Sequence, residues 1–232
     1  MPRARTFTQE SRQTAATSIG SGCLSLYSFP LFSIILIACL ITALALNTPI
    51  VTSAASPQTN QTASITSTGL SPIFTREVQY WADDILRWAN ASSLDPNLVA
   101  VVMQIESCGN PFARSSAGAM GLFQVMPFHF HASENPYNTD TNALRGLNYL
   151  ARSLDTSRGN IRLALAGYNG GIGVISRGEW TWSAQTLRYV YYGAPIYEDA
   201  RSGATSSTKL DEWYRKYGAG LCKQASQKLG ID

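Results

Sequence analysis

A run of 23 residues without a single charge, LSLYSFPLFSIILIACLITALAL from Leu24 to Leu46, constrains this chain more than any other feature. Such a segment cannot lie on the surface of a water-soluble domain, and roughly 20 apolar residues suffice to cross a bilayer as a helix. Arg3, Arg5 and Arg12 precede it against one acid, Glu10. The positive-inside rule therefore keeps residues 1–22 in the cytoplasm and exports everything beyond the run. The run exceeds the roughly 7 to 15 apolar residues of a cleaved signal peptide, which favours a retained anchor. Small residues at Ala43 and Ala45, or at Ser53 and Ala55, still permit cleavage. Leu36-Ile37-Ala38-Cys39 is similar to a lipoprotein box, but the apolar run continues for seven residues past Cys39.

The expected organisation is a cytoplasmic tail over 1–22, a transmembrane helix or signal anchor over 23–47, a linker over 48–75 and one exported domain over 76–232. The linker is rich in Ser, Thr, Asn, Gln and Pro and has no charge. It cannot bury enough apolar surface to offset chain entropy, so it reads as a disordered tether. Removing Arg3, Arg5 and Arg12 from the 18 basic residues leaves 15 in the domain, and removing Glu10 from the 15 acids leaves 14. With that balance and no block of like charge, nucleic acid is not an expected partner. Of the four cysteines, Cys23 and Cys39 fall at or inside the membrane run, which leaves Cys108 and Cys222. Outside the cytoplasm these two form either a disulfide or two buried free thiols.

Within the domain the periodicity is helical. Val78, Trp81, Ile85 and Trp88 share one face of a helix ending near Asn90. In LDPNLVAVVMQIES, Asp95 reads as an N-cap and Pro96 as the first helical residue, where its missing N–H costs nothing. Val99, Val102 and Met103 then form an apolar stripe that Glu106 continues. The stretch FARSSAGAMGLFQVMPFHF fits neither strand nor helix clearly. A further helix has Leu144, Leu147, Leu150, Ala151 and Leu154 in register, and NIRLALAGYNGGIGVI is a helix running into a glycine-rich turn. Two more helical stretches follow, the last carrying Cys222. No internal repeat and no alternation of strand and helix is present, so the fold class is mainly α.

A carboxylate on an apolar stripe loses hydration, which disfavours its charged form and raises its pKa. Glu106 is thus a candidate general acid; the alternative is a carboxylate on the last helical turn that reaches water. His129 and His131, the only histidines, lack the further ligands a zinc site needs and read as surface or packing residues. Ser115 and Ser116 have no base nearby in sequence, and no phosphate-binding loop is present, so no metal and no cofactor is expected. Trp180, Trp182, Tyr189, Tyr191, Tyr192 and Tyr197 crowd one segment, as core or as faces for sugar rings.

Taken together, Glu106-Ser107, Asn110-Pro111, Ser115, Gly118-Ala119-Met120-Gly121-Leu122-Phe123-Gln124, Met126-Pro127, Asn142, Gly146, Tyr149-Leu150 and Ala164 to Gly171 occur in a characteristic order and spacing. Over about residues 94–192 this pattern resembles the catalytic domain of the soluble lytic transglycosylases, relatives of goose-type lysozyme. The resemblance implies a mainly α, lysozyme-like (α+β) fold whose cleft holds the peptidoglycan glycan strand. It implies that Glu106 protonates the glycosidic oxygen between N-acetylmuramic acid and N-acetylglucosamine. The same carboxylate then serves as base on the muramyl 6-hydroxyl, closing a 1,6-anhydro ring. By the same resemblance, Ser115, Gln124, Met126, Tyr168 and Asn169 line the cleft, with Gln124 offering its amide to an N-acetyl group and Tyr168 orienting Glu106 or the sugar. The chain is expected to act as a monomer attached to the membrane by its anchor, with its catalytic domain outside the cytoplasm.

Two positions depart from the family pattern. Phe123 stands where methionine is commonest, and Gln185, in QTLRYV, stands where a glutamate is frequent. A rival reading, hydrolysis on the same fold, requires a second carboxylate, for which Asp140 and Glu134 are the nearest in sequence. Another rival is a module that binds the cell wall without cleaving it.

Overall fold

The computed structural model describes residues 69–231. The expected tail, membrane run and most of the tether lie outside the described residues. The last part of the expected tether does not behave as one. Ile73 and Phe74 are buried, Ser71 donates its N–H to Asn97 Oδ1 (2.9 Å), and Thr75 donates its own to Gln104 Oε1 (3.1 Å). Two apolar side chains and two long-range bonds suffice to fix a segment that its composition alone marks as polar.

Eight α-helices carry the described domain: α1 (Arg76–Gln79), α2 (Ala82–Ser92), α3 (Pro96–Glu106), α4 (Thr139–Thr156), α5 (Ile161–Gly170), α6 (Ala184–Arg201), α7 (Thr208–Trp213) and α8 (Ala219–Leu229). Single 3-10 turns at Pro127–His129, Ile172–Val174 and Glu179–Thr181 link them, and a π turn at Tyr214–Gly218 joins α7 to α8. Among the described residues the β component is reduced to two isolated antiparallel bridges, Arg114 with Met120 and Met120 with Val125. The mainly α class therefore holds.

Helix starts follow local chemistry. The side chains of Asp95, Asn138, Asn160, Ser183 and Ser207 each accept a bond from a first-turn N–H, of α3, α4, α5, α6 and α7 respectively. Each satisfies an amide that the helix itself leaves without a partner. The first helix read from the sequence is instead two, α1 and α2, broken at Tyr80 and Trp81. The break costs none of the expected packing: Val78, Trp81, Ile85 and Trp88 are all buried. Trp81 also donates its indole N–H to Gly109 O (2.9 Å), tying the break to the far end of α3.

α3 is the axis of the domain. Asn97 through Gln104 are all buried, so the helix is enclosed on every side rather than along one stripe. It packs on α2 and α6, while α5 packs between α4 and α6. In α4 the expected register is partly wrong. Leu147 and Leu150 are buried, but Leu144 is 51% exposed and Ala143 takes the inward place beside Asn142 and Gly146. Both registers share Leu147, and the one adopted lets α4 approach the loop at Phe123, where a Cβ on Gly146 would fall 2.6 Å from Phe123 Cβ.

At its C-terminus α3 reverses sharply. Cys108 (φ 51°) and Gly109 (φ 81°) both adopt left-handed conformations. A Cβ on Gly109 would lie 2.7 Å from Glu77 O, so glycine is required there for space as well as for backbone freedom. Cys108 is bonded to Cys222 on α8, with a Cα–Cα distance of 5.0 Å across 114 residues of sequence. This resolves the open choice in favour of the disulfide. Glu77 lies near both sulfurs.

Candidate active site

Glu106 ends the central helix, and the chain turns away immediately after it. The turn is held by Ser107, whose Oγ donates to Leu122 O (2.7 Å) and accepts the N–H of Gly109 (3.1 Å). The axis of the domain thus delivers one carboxylate to the point where two limbs of a cleft meet. The larger limb, about 490 Å³, is lined by Ser115, Gln124, Met126, Tyr149 and Tyr168 together with Glu106. The smaller, about 190 Å³, is lined by Arg188, Tyr189, Tyr192, Trp213 and Tyr217. Glu106, Asn169 and Gln185 border both limbs.

Burial pushes the Glu106 carboxyl up from its ordinary value of 4.5 to about 8. The Tyr189 phenol lies against it and opposes that shift. Their approach falls short of full hydrogen-bond geometry, which leaves the buried Tyr189 hydroxyl without a hydrogen-bond partner among the described residues. Glu106 is half-buried, and water in the cleft tempers the rise without reversing it. The group therefore holds a proton near neutral pH while remaining open to a ligand, as a general acid must.

The larger limb is built by a loop whose shape comes from distant bonds. Asn142, on α4, accepts the Phe123 N–H (2.9 Å) and donates to Met120 O (2.8 Å) and Pro136 O (3.0 Å). A Cβ on Gly121 would strike the Asn142 amide at 2.3 Å, so the loop can lie this close only with glycine there. Tyr168 donates its hydroxyl to Phe123 O (2.7 Å) from α5. The phenol thus holds the loop, and it also lies close enough to Glu106 for that carboxylate to raise its pKa after burial has done so.

Ser115, Gln124, Met126, Tyr168 and Asn169 all border the larger limb. Ser115 Oγ accepts the Ala119 N–H (3.0 Å) and closes the turn between them. Gln124, at φ 46°, donates its amide to Ala113 O (3.2 Å) and Gly121 O (3.0 Å). Its donors are committed to the backbone, so Oε1 is the atom it can offer a ligand. Asn169 Oδ1 accepts from Thr186 Oγ1 (3.1 Å), leaving its amide donors toward the cleft.

Several lining residues were not singled out by the sequence. His129, read from the sequence as a surface or packing residue, packs between Phe128 (4.5 Å) and Tyr149 (4.9 Å), and it does so along the larger limb, which the sequence did not indicate. Burial, then Arg152, lowers its proton affinity. Of the aromatic cluster, Trp182, Tyr189, Tyr192 and Tyr197 are buried, whereas Trp180 is 89% exposed and Tyr191 is exposed too. Tyr189 and Tyr192 are the two that reach the cleft, three residues apart on α6. Arg188, the residue before Tyr189, also lines the smaller limb and carried no signal beyond its proximity to the aromatic run.

Neither Asp140 nor Glu134 lines either limb. Glu134 is paired with Arg145 (2.5 Å), which holds its carboxyl down at about 2. Asp140 accepts from the Trp88 indole (2.7 Å) and from Arg87 (2.8 Å). Among the described residues Glu106 is the sole carboxylate lining the cleft.

A helical domain with one proton-holding carboxylic acid at the centre of an elongated cleft has the form of an acid–base enzyme acting on an extended ligand. Residues 83–186 match the family described as Transglycosylase SLT domain. It is 37% identical over 115 residues to the transglycosylase of Enterobacteria phage PRD1, a match covering 48% of this chain and 40% of that protein. Over 47 residues it is 40% identical to membrane-bound lytic murein transglycosylase E of Buchnera aphidicola, covering 20% of this chain and 21% of the relative. The chain thus spans less than half the length of either relative. Among solved structures, an inactive mutant of the lytic transglycosylase Slt from Pseudomonas aeruginosa aligns at 21% identity and TM-score 0.37, over 63% of this chain and 24% of that one.

Proposed function

We propose that the chain is a peptidoglycan lytic transglycosylase that cleaves the bond between N-acetylmuramic acid and N-acetylglucosamine with Glu106 as its one acid–base residue. The observation that carries this reading is the isolation of that carboxylate: it is raised to about 8, and no second carboxylate lines the cleft among the described residues. Hydrolysis with two carboxylates needs a nucleophile or a base for water across the scissile bond. Intramolecular closure needs neither. The protonated Glu106 gives its proton to the glycosidic oxygen as the C1–O bond breaks, and the sugar's own acetamido group supports the developing positive charge. The resulting carboxylate then takes the proton of the muramyl 6-hydroxyl as O6 bonds to C1. Glu106 ends in the state in which it began, and no water is consumed.

The family match and the names of the relatives support the substrate class. Ser115, Gln124, Met126, Tyr168 and Asn169 serve as the bed for the sugar units beside Glu106. The chain works as a monomer held to the membrane by its apolar run, with the domain outside the cytoplasm and the tether setting its reach. The charge-free run after a basic flank supports this placement, and one relative is named membrane-bound. No helix among the described residues is long and apolar enough to cross a membrane.

Incubation of the full chain with isolated sacculi, followed by mass spectrometry of the released fragments, tests the reading. Muramyl ends lighter by one water than reducing ends are expected. Reducing ends would mean hydrolysis, and wall binding without fragments would mean a noncatalytic module.

A further inference from the structure

The smaller limb of the cleft holds a charge that the chemistry at Glu106 leaves unused. Gln185, Arg188 and Tyr192 follow one another at i, i+3 and i+7 on α6 and all line that limb. The Arg188 guanidinium also lines an open groove that continues outward past Leu187, Tyr191 and Tyr217. Its carbon lies 5.1 Å from the centre of the Tyr217 ring, which braces it without neutralising it.

No described carboxylate forms a salt bridge with Arg188, although acids are close by in the fold. Glu179 is taken by Arg162 (2.6 Å), and Glu212 by Lys209 (3.0 Å) and Lys216 (2.8 Å). Nor is the charge spent on the acid of the site, since the Glu106 carboxyl answers to burial and to Tyr189 alone. The larger limb has no lysine or arginine in its lining. A polymer lying through both limbs meets a neutral bed on one side of Glu106 and a guanidinium on the other.

We propose that the smaller limb binds the carboxylate of a peptide branch carried by the glycan strand, with Arg188 as its bidentate receptor. This rests on the glycan-strand reading given above. A planar guanidinium matches a carboxylate through two parallel hydrogen bonds, and the groove beyond it gives the branch an exposed aromatic path out of the cleft. Arg188 is exposed and hydrated in the free protein, and a neutral sugar substituent would offer it no opposite charge.

The test measures binding rather than turnover, using the full chain in detergent with Glu106→Gln to prevent cleavage. Dissociation constants are compared with and without Arg188→Gln on three strand preparations: with free peptide carboxylates, with those carboxylates amidated, and with the peptides removed. The expected result is a roughly tenfold weakening by Arg188→Gln on the first preparation and less than about twofold on the other two, the range of a charge-assisted pair at a partly exposed site. Equal loss on amidated strands, equal loss on stripped strands, or no loss on any would each overturn the assignment. Failure of the transglycosylase reading is seen separately, as an absence of anhydro ends from the unsubstituted chain.

Discussion

Two carboxylates, the buried Glu77 at the disulfide and the half-buried Glu106 at the cleft, are held in opposite ways. Glu77 is 5% exposed, yet it accepts a short bond from Ser226 Oγ (2.5 Å) and another from Arg76 Nε (3.2 Å). Burial raises its pKa, but Ser226, its own backbone amide, Thr75 and Arg76 together outweigh that and leave it below the ordinary value. Glu106 is less enclosed by surface area and has only the Tyr189 phenol opposing the effect of burial, so burial prevails and its pKa rises to about 8. Burial alone does not make an acid; burial that donors do not outweigh does. The first site is a fastener because its charge is satisfied, and the second is chemically competent because its charge is not.

The largest effect that tests this contrast is on activity. Glu106→Gln keeps the side chain's shape and removes its exchangeable proton, so anhydro-product formation from sacculi is expected to fall by roughly 100- to 10,000-fold with the helical circular dichroism unchanged. Glu77→Gln is expected to leave the turnover of the folded protein near its original level. If the two variants lost activity alike, the division into fastener and acid would be broken.

Next in size is the fastener itself. Replacing Cys108 and Cys222 with serine opens a loop spanning 114 residues of sequence. The cross-link is worth about 4 to 5 kcal/mol in the chain-entropy model, and denaturant unfolding of the described domain measures it. Glu77→Ala should cost less, about 1 to 3 kcal/mol, by leaving the buried Ser226 hydroxyl without its acceptor.

The pH dependence of stability separates the two carboxyls by sign. Glu106 has its folded pKa raised, so its contribution is fully present below the ordinary value of 4.5 and is lost as pH rises toward about 8. Glu77 has its folded pKa lowered, so its contribution is present above 4.5 and is lost as pH falls through the lower folded value. Glu106→Gln should therefore raise the melting temperature at pH 8, with the gain vanishing below pH 4.5, whereas Glu77→Gln should flatten the acid side of the profile. A Glu106→Gln gain that grew on acidification would contradict the raised pKa.

Much of the frame that delivers Glu106 was legible in the sequence because its signals are local. The Asp95 cap, Pro96 at the first position and the apolar spacing up to Glu106 all lie within one helix. The loop that builds the larger limb was not legible. Its shape depends on Asn142, 22 residues from Met120, and on a left-handed Gln124 that no propensity favours. Leu144 was misplaced because sequence period alone could not choose between two registers sharing Leu147. Glu77 gave no signal at all, since its partner Ser226 is 149 residues away. The same distance effect hid Tyr189, which in sequence is one more aromatic in a crowded run and in the fold is the group against the acid.

Tyr189 offers the finest test of the contrast, because its phenol is the one polar group that opposes the effect of burial on Glu106. Tyr189→Phe removes that opposition and keeps the ring in place. The Glu106 carboxyl should then hold its proton to higher pH, moving the alkaline limb of the activity profile upward. Activity at neutral pH should fall less than about tenfold, because the acid itself remains. Stability should be unchanged or slightly improved, since the hydroxyl removed is buried and has no hydrogen-bond partner among the described residues. A Glu77-like site behaves otherwise: Ser226→Ala takes away a satisfied donor, lowering stability and raising the Glu77 pKa with no effect on the alkaline limb. A downward movement of that limb in Tyr189→Phe would mean that the phenol favours the protonated acid, and Glu106 would then owe its proton to a partner rather than to the lack of one.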